Sequence, residues 1–299
     1  MKCNRTLLDS DTAEGGHEFR YGGACAMFGG RKYNTLRLTP HGFTLVELLV
    51  VVVIIGLLAA LISTAVIAAM GRAREARVIL EIQAMSNALQ LFKDRYGDFP
   101  PTNLQDANKV RAFLRRAFPR YPASGTDPYN QFVSDLAAND IPLTVSKMDA
   151  AAALAFWLGG MPDSTGKPRG FSKDPENPFR KPQESEETPR YPPLYEFTLK
   201  RLKINDGTMR YYPDISGAIE ADSPYVYFRA ADYATVSFRH HAGGENVTIT
   251  PYQNPTTGEY FNPQTFQIIS AGRDNLYGGP YSEDNLTNFA EGKLKDALK

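Results

Sequence analysis

From Leu48 to Met70 the chain runs for 23 residues without a charge, and only Ser63 and Thr64 there carry a polar side chain. As a helix this run would extend about 34 Å, at roughly 1.5 Å per residue, and the hydrocarbon core of a bilayer is about 30 Å thick. No other stretch of the sequence approaches it. The run therefore reads as a membrane helix, an export signal, or both. Glu47 is the misfit, because Phe43, Leu45 and Val46 continue the apolar character on its other side. An ionised carboxylate at membrane depth is costly and is usually partnered. One reading places Glu47 at the charged edge of an ordinary anchor, with Phe43 to Val46 outside the membrane. The other needs a cation beside it.

The order Gly42-Phe43-Thr44-Leu45-Val46-Glu47, followed by that aliphatic run, resembles the N-terminal signature of type IV prepilins and type II secretion pseudopilins. The resemblance implies that a prepilin peptidase cuts between Gly42 and Phe43 and methylates Phe43, making Glu47 the fifth residue of the mature chain. It also answers the misfit. Cleavage creates an ammonium at Phe43, and in a homo-oligomeric filament the amine of one subunit can meet Glu47 of its neighbour. Each charge then satisfies the other, and the pair sets the stagger.

Residues 1–42 read as a leader, and Met27 is an alternative start that would shorten it. Residues 27–42 hold Arg31, Lys32 and Arg37 and no acid, a flank that keeps that end cytoplasmic. Both cysteines, Cys3 and Cys25, lie in the leader, so the mature chain has no disulfide, thiol catalysis or cysteine-held metal. Without the leader the chain has 27 basic and 29 acidic residues. That balance argues against a nucleic-acid partner. Abundant Tyr, Phe and Pro favour a β-rich, loop-rich body.

Beyond Met70, Val78, Ile82, Met85, Leu89, Phe92 and Tyr96 recur at spacings of three and four, an apolar stripe on a continuing helix. Gly97 and Pro100-Pro101 end it. The expectation is one helix across 43–97, transmembrane and then amphipathic, packed on a sheet. Residues 98–190 read as an insertion with helices at Val110–Phe118 and Ala150–Leu158. Trp157 is expected to form a small core of its own there. A loop follows, with eight prolines between Pro162 and Pro193. Residues 191–299 read as an antiparallel sheet. Its expected strands are Tyr195–Leu199, Met209–Tyr212 after an Asp206-Gly207 turn, Tyr225–Phe228 and Phe266–Ser270. His240-His241 is expected in a solvated loop. The fold class is α+β, and the pilin resemblance implies a helix-then-sheet lollipop carrying an inserted helical and loop region.

After the last expected strand, Asp274, Glu283 and Asp284 bracket a glycine-rich turn. With backbone oxygens at Ser270 and Ala271 they could hold a hard cation. This stretch resembles the C-terminal calcium loop of the major type II secretion pseudopilin, which implies calcium. Asn275 departs from that pattern by replacing a glycine, and Asn285 stands where an acid is common.

The function expected is that of a structural pseudopilin of a type II secretion pseudopilus, with other pseudopilins, the inner-membrane secretion platform and, before assembly, membrane lipid as partners. The resemblance implies a single pass of the bacterial inner membrane with the C-terminal domain in the periplasm. A type IV pilus subunit is the alternative. A membrane-anchored periplasmic enzyme or binding protein is the rival of another class, but no nucleophile motif, phosphate loop or metal-ligand cluster supports it, so an enzyme is not expected. A secreted protein cut near Ala59-Ala60 would leave Glu47 unexplained.

Overall fold

The computed structural model describes residues 42–183, 189–214, 223–242 and 245–298. The leader, with both cysteines and the alternative start, lies outside the described residues. The chain divides into two compact units, one up to Ile55 and one from Gly56 onward.

Helix α1, Leu45–Tyr96, is 52 residues long. In the first unit its side chains from Leu45 to Ile55 are all exposed. In the second unit the predicted stripe of Val78, Ile82, Met85, Leu89, Phe92 and Tyr96 is buried. The helix stops where expected. Gly97 takes the left-handed conformation (φ 83°), which glycine adopts without steric penalty, and its N–H reaches Lys93 O at 2.7 Å. Glu81 lies beside the stripe yet is not a solvated charge. Its carboxylate accepts from Arg201 at 2.5 and 2.9 Å and from the Tyr225 hydroxyl at 2.6 Å, fastening α1 to the β region.

Three helices follow: α2 (Ala107–Ala117), α3 (Pro128–Ala137) and α4 (Ala150–Gly159). Asp106, Asp127 and Asp149 cap them, each carboxylate accepting two backbone N–H groups of the first turn. Helix α3 was not expected, although Asp127 before Pro128 is a start signal of the right kind. All ten residues of α4 are buried, and six of them are alanine or glycine, small enough to let neighbouring elements approach closely. Trp157 does not form a separate core. Its ring lies 5.8 Å from Phe92 of α1, 5.2 Å from Phe113 of α2 and 6.0 Å from Phe132 of α3, and its Nε1 donates to Pro101 O at 3.1 Å. An indole can fill the gap where three helices converge, so α2, α3 and α4 share one aromatic core with α1. As expected, the described part of the proline-rich stretch has only isolated bridges, such as Pro162 with Pro168.

Among the described residues the strands pair antiparallel but form three small sheets rather than one. The expected strand at Tyr195–Leu199 is absent. Tyr195 and Phe197 alternate inward because they pack on each other at 4.8 Å and on Tyr211 at 5.8 and 4.9 Å. The hairpin instead joins β1 (Leu202–Asn205) to β2 (Thr208–Tyr211). Its turn places Asp206 (φ 51°) and Gly207 (φ 73°) both in the left-handed region, as a tight hairpin requires. The next strands are β3 (Val226–Arg229), β4 (Phe238–Ala242), β5 (Glu245–Ile249), β6 (Phe266–Ser270) and β7 (Leu286–Thr287). Strand β6 lies between β3 and β7, while β4 pairs with β5. His240 and His241 therefore sit in a strand rather than a loop, and His241 Nδ1 lies 3.0 Å from Asn246 Oδ1 on β5. A four-residue helix, α5 (Leu294–Ala297), follows.

A buried charge group joins α2 to the end of β3. Asp232 accepts from Arg229 at 3.1 Å, from Lys109 of α2 at 3.0 Å and from the Thr102 N–H at 3.2 Å. Burial alone would raise the Asp232 carboxyl. The Arg229 charge and these hydrogen bonds outweigh it and hold the group below the usual carboxylate range.

Candidate functional site

Gly42 and Phe43 occupy exposed, irregular backbone directly before α1, so the bond between them is open to a protease. Helix α1 then opens on a reciprocal cap. The Thr44 N–H and hydroxyl both donate to Glu47 Oε2 at 2.9 Å, and the Glu47 N–H donates to Thr44 Oγ1 at 3.2 Å. This is a capping box, in which the first and fourth residues satisfy amides that the helix leaves unpaired. The pattern Thr-x-x-Glu at 44–47 is the sequence signal for this cap. The carboxylate also sits at the positive end of the helix dipole. Among the described residues Glu47 makes no ion pair, and both hydrogen bonds to its carboxylate engage Oε2.

The apolar run behind this cap has no cover. Within the part of α1 most apolar by composition no residue is buried, and Leu45, Leu57, Leu61 and Ile67 are each more than 60% exposed. A surface this large and apolar marks contact with lipid or with other protein chains. The helix is long and apolar enough to cross a membrane.

The terminal loop presents a second cluster. Asp284 Oδ2 accepts from the Arg273 N–H at 2.7 Å, while its Oδ1 is buried without a hydrogen-bond partner. A Cβ on Gly272 would run into this carboxylate, so glycine is needed for the approach. Asp274 Oδ1 accepts from the Leu276 N–H at 2.9 Å. The Asp274 residue is exposed as a whole, yet partial burial of its carboxyl group, and then the charge of Asp284, push it above its ordinary range. The loop thus brings Asp274 and Asp284 together. Glu283 is exposed, and among the described residues no three Asp, Glu, His or Cys side chains gather to hold a metal. Ser270 and Ala271 are buried, and the Ser270 hydroxyl donates to Ala271 O at 3.2 Å. The two departures from the resembling pattern have local explanations. Asn275 adopts φ 61°, a conformation asparagine tolerates where glycine is otherwise used. Asn285 is buried, accepts from the Gly272 N–H at 3.2 Å and donates to the Tyr252 hydroxyl at 2.9 Å, a pairing that needs an amide rather than an acid. Asp284 Oδ1 is thus an orphaned buried oxygen, and the Asp284 charge contributes to the rise of Asp274.

The family description of the prokaryotic N-terminal methylation motif matches residues 39–63. No curated protein and no solved structure matches the chain. The matched span covers Gly42, Phe43, the Thr44–Glu47 cap and the first part of the uncovered apolar run. The motif implies processing by a prepilin peptidase and assembly with other pilin-like subunits. On this ground the chain carries the N-terminal methylation signature of type IV prepilins and pseudopilins.

Proposed function

We propose that this protein is a structural subunit of a type II secretion pseudopilus. It is cut after Gly42, methylated on Phe43 and polymerised through α1, with its C-terminal domain in the periplasm. The observation that carries this reading is the uncovered apolar run headed by Glu47, whose carboxylate is bonded only to Thr44 among the described residues. In the single chain the cap is enough to satisfy the carboxylate at the helix start. In a filament the Phe43 ammonium of the adjoining subunit supplies the cation that burial of Glu47 demands. Subunits added at the base push the fibre and its cargo outward, so the work is mechanical. The secretion platform and the other pseudopilins are the partners of this reading.

The terminal loop and the absence of cysteine after residue 42 favour the secretion pseudopilus over a surface pilus. Calcium between Asp274 and Asp284 belongs to this reading. It would supply the positive charge that Asp284 Oδ1 lacks. Chelation with EGTA is expected to lower the melting temperature of the wild-type chain by several degrees, because a ligand bound only to the folded state stabilises it. Asp274→Ala should melt at the same temperature with or without chelator. The chelation shift should shrink as pH falls through the raised Asp274 range, where the proton competes with the cation. A wild-type chain indifferent to EGTA would remove calcium, and with it the loop-based preference for a pseudopilus.

A further inference from the structure

Positive charge is balanced across the apolar run. Arg31, Lys32 and Arg37 precede it, and Arg72, Arg74 and Arg77 follow it within seven residues of Met70. Arginines on the exported flank oppose the retention bias that orients membrane helices, so they call for a compensating partner. Arg77 has one in Asp214, at 3.2 Å. Arg72 and Arg74 make no ion pair or hydrogen bond among the described residues.

The C-terminal loop adds a cation at the same level. The Arg273 guanidinium lies directly over Gly71, so that a Cβ there would be 2.6 Å from Nη2. The nearest acid is Glu75, one turn further along α1, and its carboxylate is held more closely by Lys293 at 3.1 Å than by Arg273 at 3.8 Å. Both are ion pairs by distance, although Glu75 Oε1 has no partner with hydrogen-bond geometry. Neither acid flanking Arg273 in the loop pairs with its guanidinium among the described residues: Asp274 accepts from the Leu276 N–H, and Asp284 accepts from the Arg273 N–H through Oδ2 while its Oδ1 has no partner. Arg273 therefore remains half exposed at the first residue past the apolar run.

Depth identifies the occupant. With Leu48–Met70 in the hydrocarbon, Arg72 and Arg74 lie about 3 and 6 Å beyond its edge along the helix. The headgroup layer is roughly 5–8 Å thick on each side. Three guanidinium groups thus stand at phosphate level, and guanidinium pairs with phosphate oxygens through two parallel N–H bonds. We infer that Arg72, Arg74 and Arg273 each pair with anionic phospholipid headgroups, at one level around the point where α1 leaves the membrane. The inference rests on the reading of Leu48–Met70 as a membrane span. It adds that the folded C-terminal domain contributes one of the three contacts, so that the domain is held against the bilayer surface until the subunit is withdrawn into a fibre.

Spin-label EPR of the full chain in phosphatidylcholine vesicles tests this, with trace spin-labelled phosphatidylglycerol or phosphatidylcholine as the probe. The motionally restricted fraction should favour phosphatidylglycerol by at least about fivefold, the factor expected from a single surface arginine. The preference should decline with added salt. The Arg72→Gln/Arg74→Gln/Arg273→Gln variant should restrict both lipids equally, whereas the matching triple Lys variant should retain most of the preference. Trp157 fluorescence verifies that each variant is folded. Equal restriction of both lipids by the wild type, or a preference that survives the triple Gln change, would overturn the inference. A chain that restricts neither label and does not float with the vesicles would instead refute the membrane span, and the headgroup pairing would fall with it.

Discussion

Glu47→Ala is expected to abolish entry into filaments while leaving the chain folded. The reasoning begins at the cap. Glu47 Oε2 holds two Thr44 donors at 2.9 Å, so alanine frees the first turn of α1 to fray. Fraying is confined to the first unit, because the buried stripe of α1 begins at Val78 and is held independently. The large effect arises on assembly, where the Phe43 ammonium would enter an apolar surround with no carboxylate to meet it, and an uncompensated buried charge is strongly unfavourable. Glu47→Gln separates the two roles. Its amide oxygen can still accept from Thr44, but it carries no charge, so it should assemble almost as poorly as alanine. Thr44→Ala removes the cap and spares the charge, and should assemble better than either. Sedimentation of sheared fibres followed by immunoblotting reads all three. Wild-type yields from Glu47→Gln would show that capping, not charge pairing, is the task of this residue.

The second large effect is on stability. Phe92→Ala should destabilise the C-terminal domain by about 3–5 kcal/mol, the range for removing a buried aromatic ring. Phe92 is fully buried, and its ring lies 4.5 Å from Tyr96, 6.1 Å from Phe113 and 5.8 Å from Trp157. It thereby joins α1 to α2 and α4. Against a total stability of about 5–15 kcal/mol the loss would be a large share. Trp157 is the only tryptophan, so its fluorescence during urea unfolding follows this contact directly. The midpoint should move sharply to lower urea in Phe92→Ala. Leu91→Ala, on the neighbouring but exposed face, should change stability by no more than about 0.5 kcal/mol. Similar shifts for the two variants would contradict a core that runs from α1 into residues 98–190.

Much of this architecture was legible because it rests on period and punctuation. The three-and-four spacing from Val78 to Tyr96 marked the buried face of α1, and Gly97 marked its end. Asp206-Gly207 marked a hairpin, although the strand before it begins at Leu202 rather than Tyr195. The error at Tyr195–Leu199 has a physical origin, since alternate burial arises from aromatic stacking as well as from strand pairing. Strand β4 was hidden because its partner is local and its two histidines suggested a solvated loop. Trp157 could not be assigned to the shared core from sequence, because Phe92, Phe113 and Phe132 reach it only through tertiary packing. At the candidate site, Gly42, Phe43 and Glu47 were readable from their order alone. The capping bonds were readable too, from Thr44 and Glu47 three residues apart. In the terminal loop, proximity in sequence grouped Glu283 with Asp284, whereas the fold sets Asp284 against Gly272 and leaves Glu283 exposed.

The central claim concerns a single peptide bond. Mass spectrometry of the protein purified from its native membrane should find a chain beginning at N-methylated Phe43, with nothing retained before it. An intact leader, or a chain beginning near Leu61, would contradict the account.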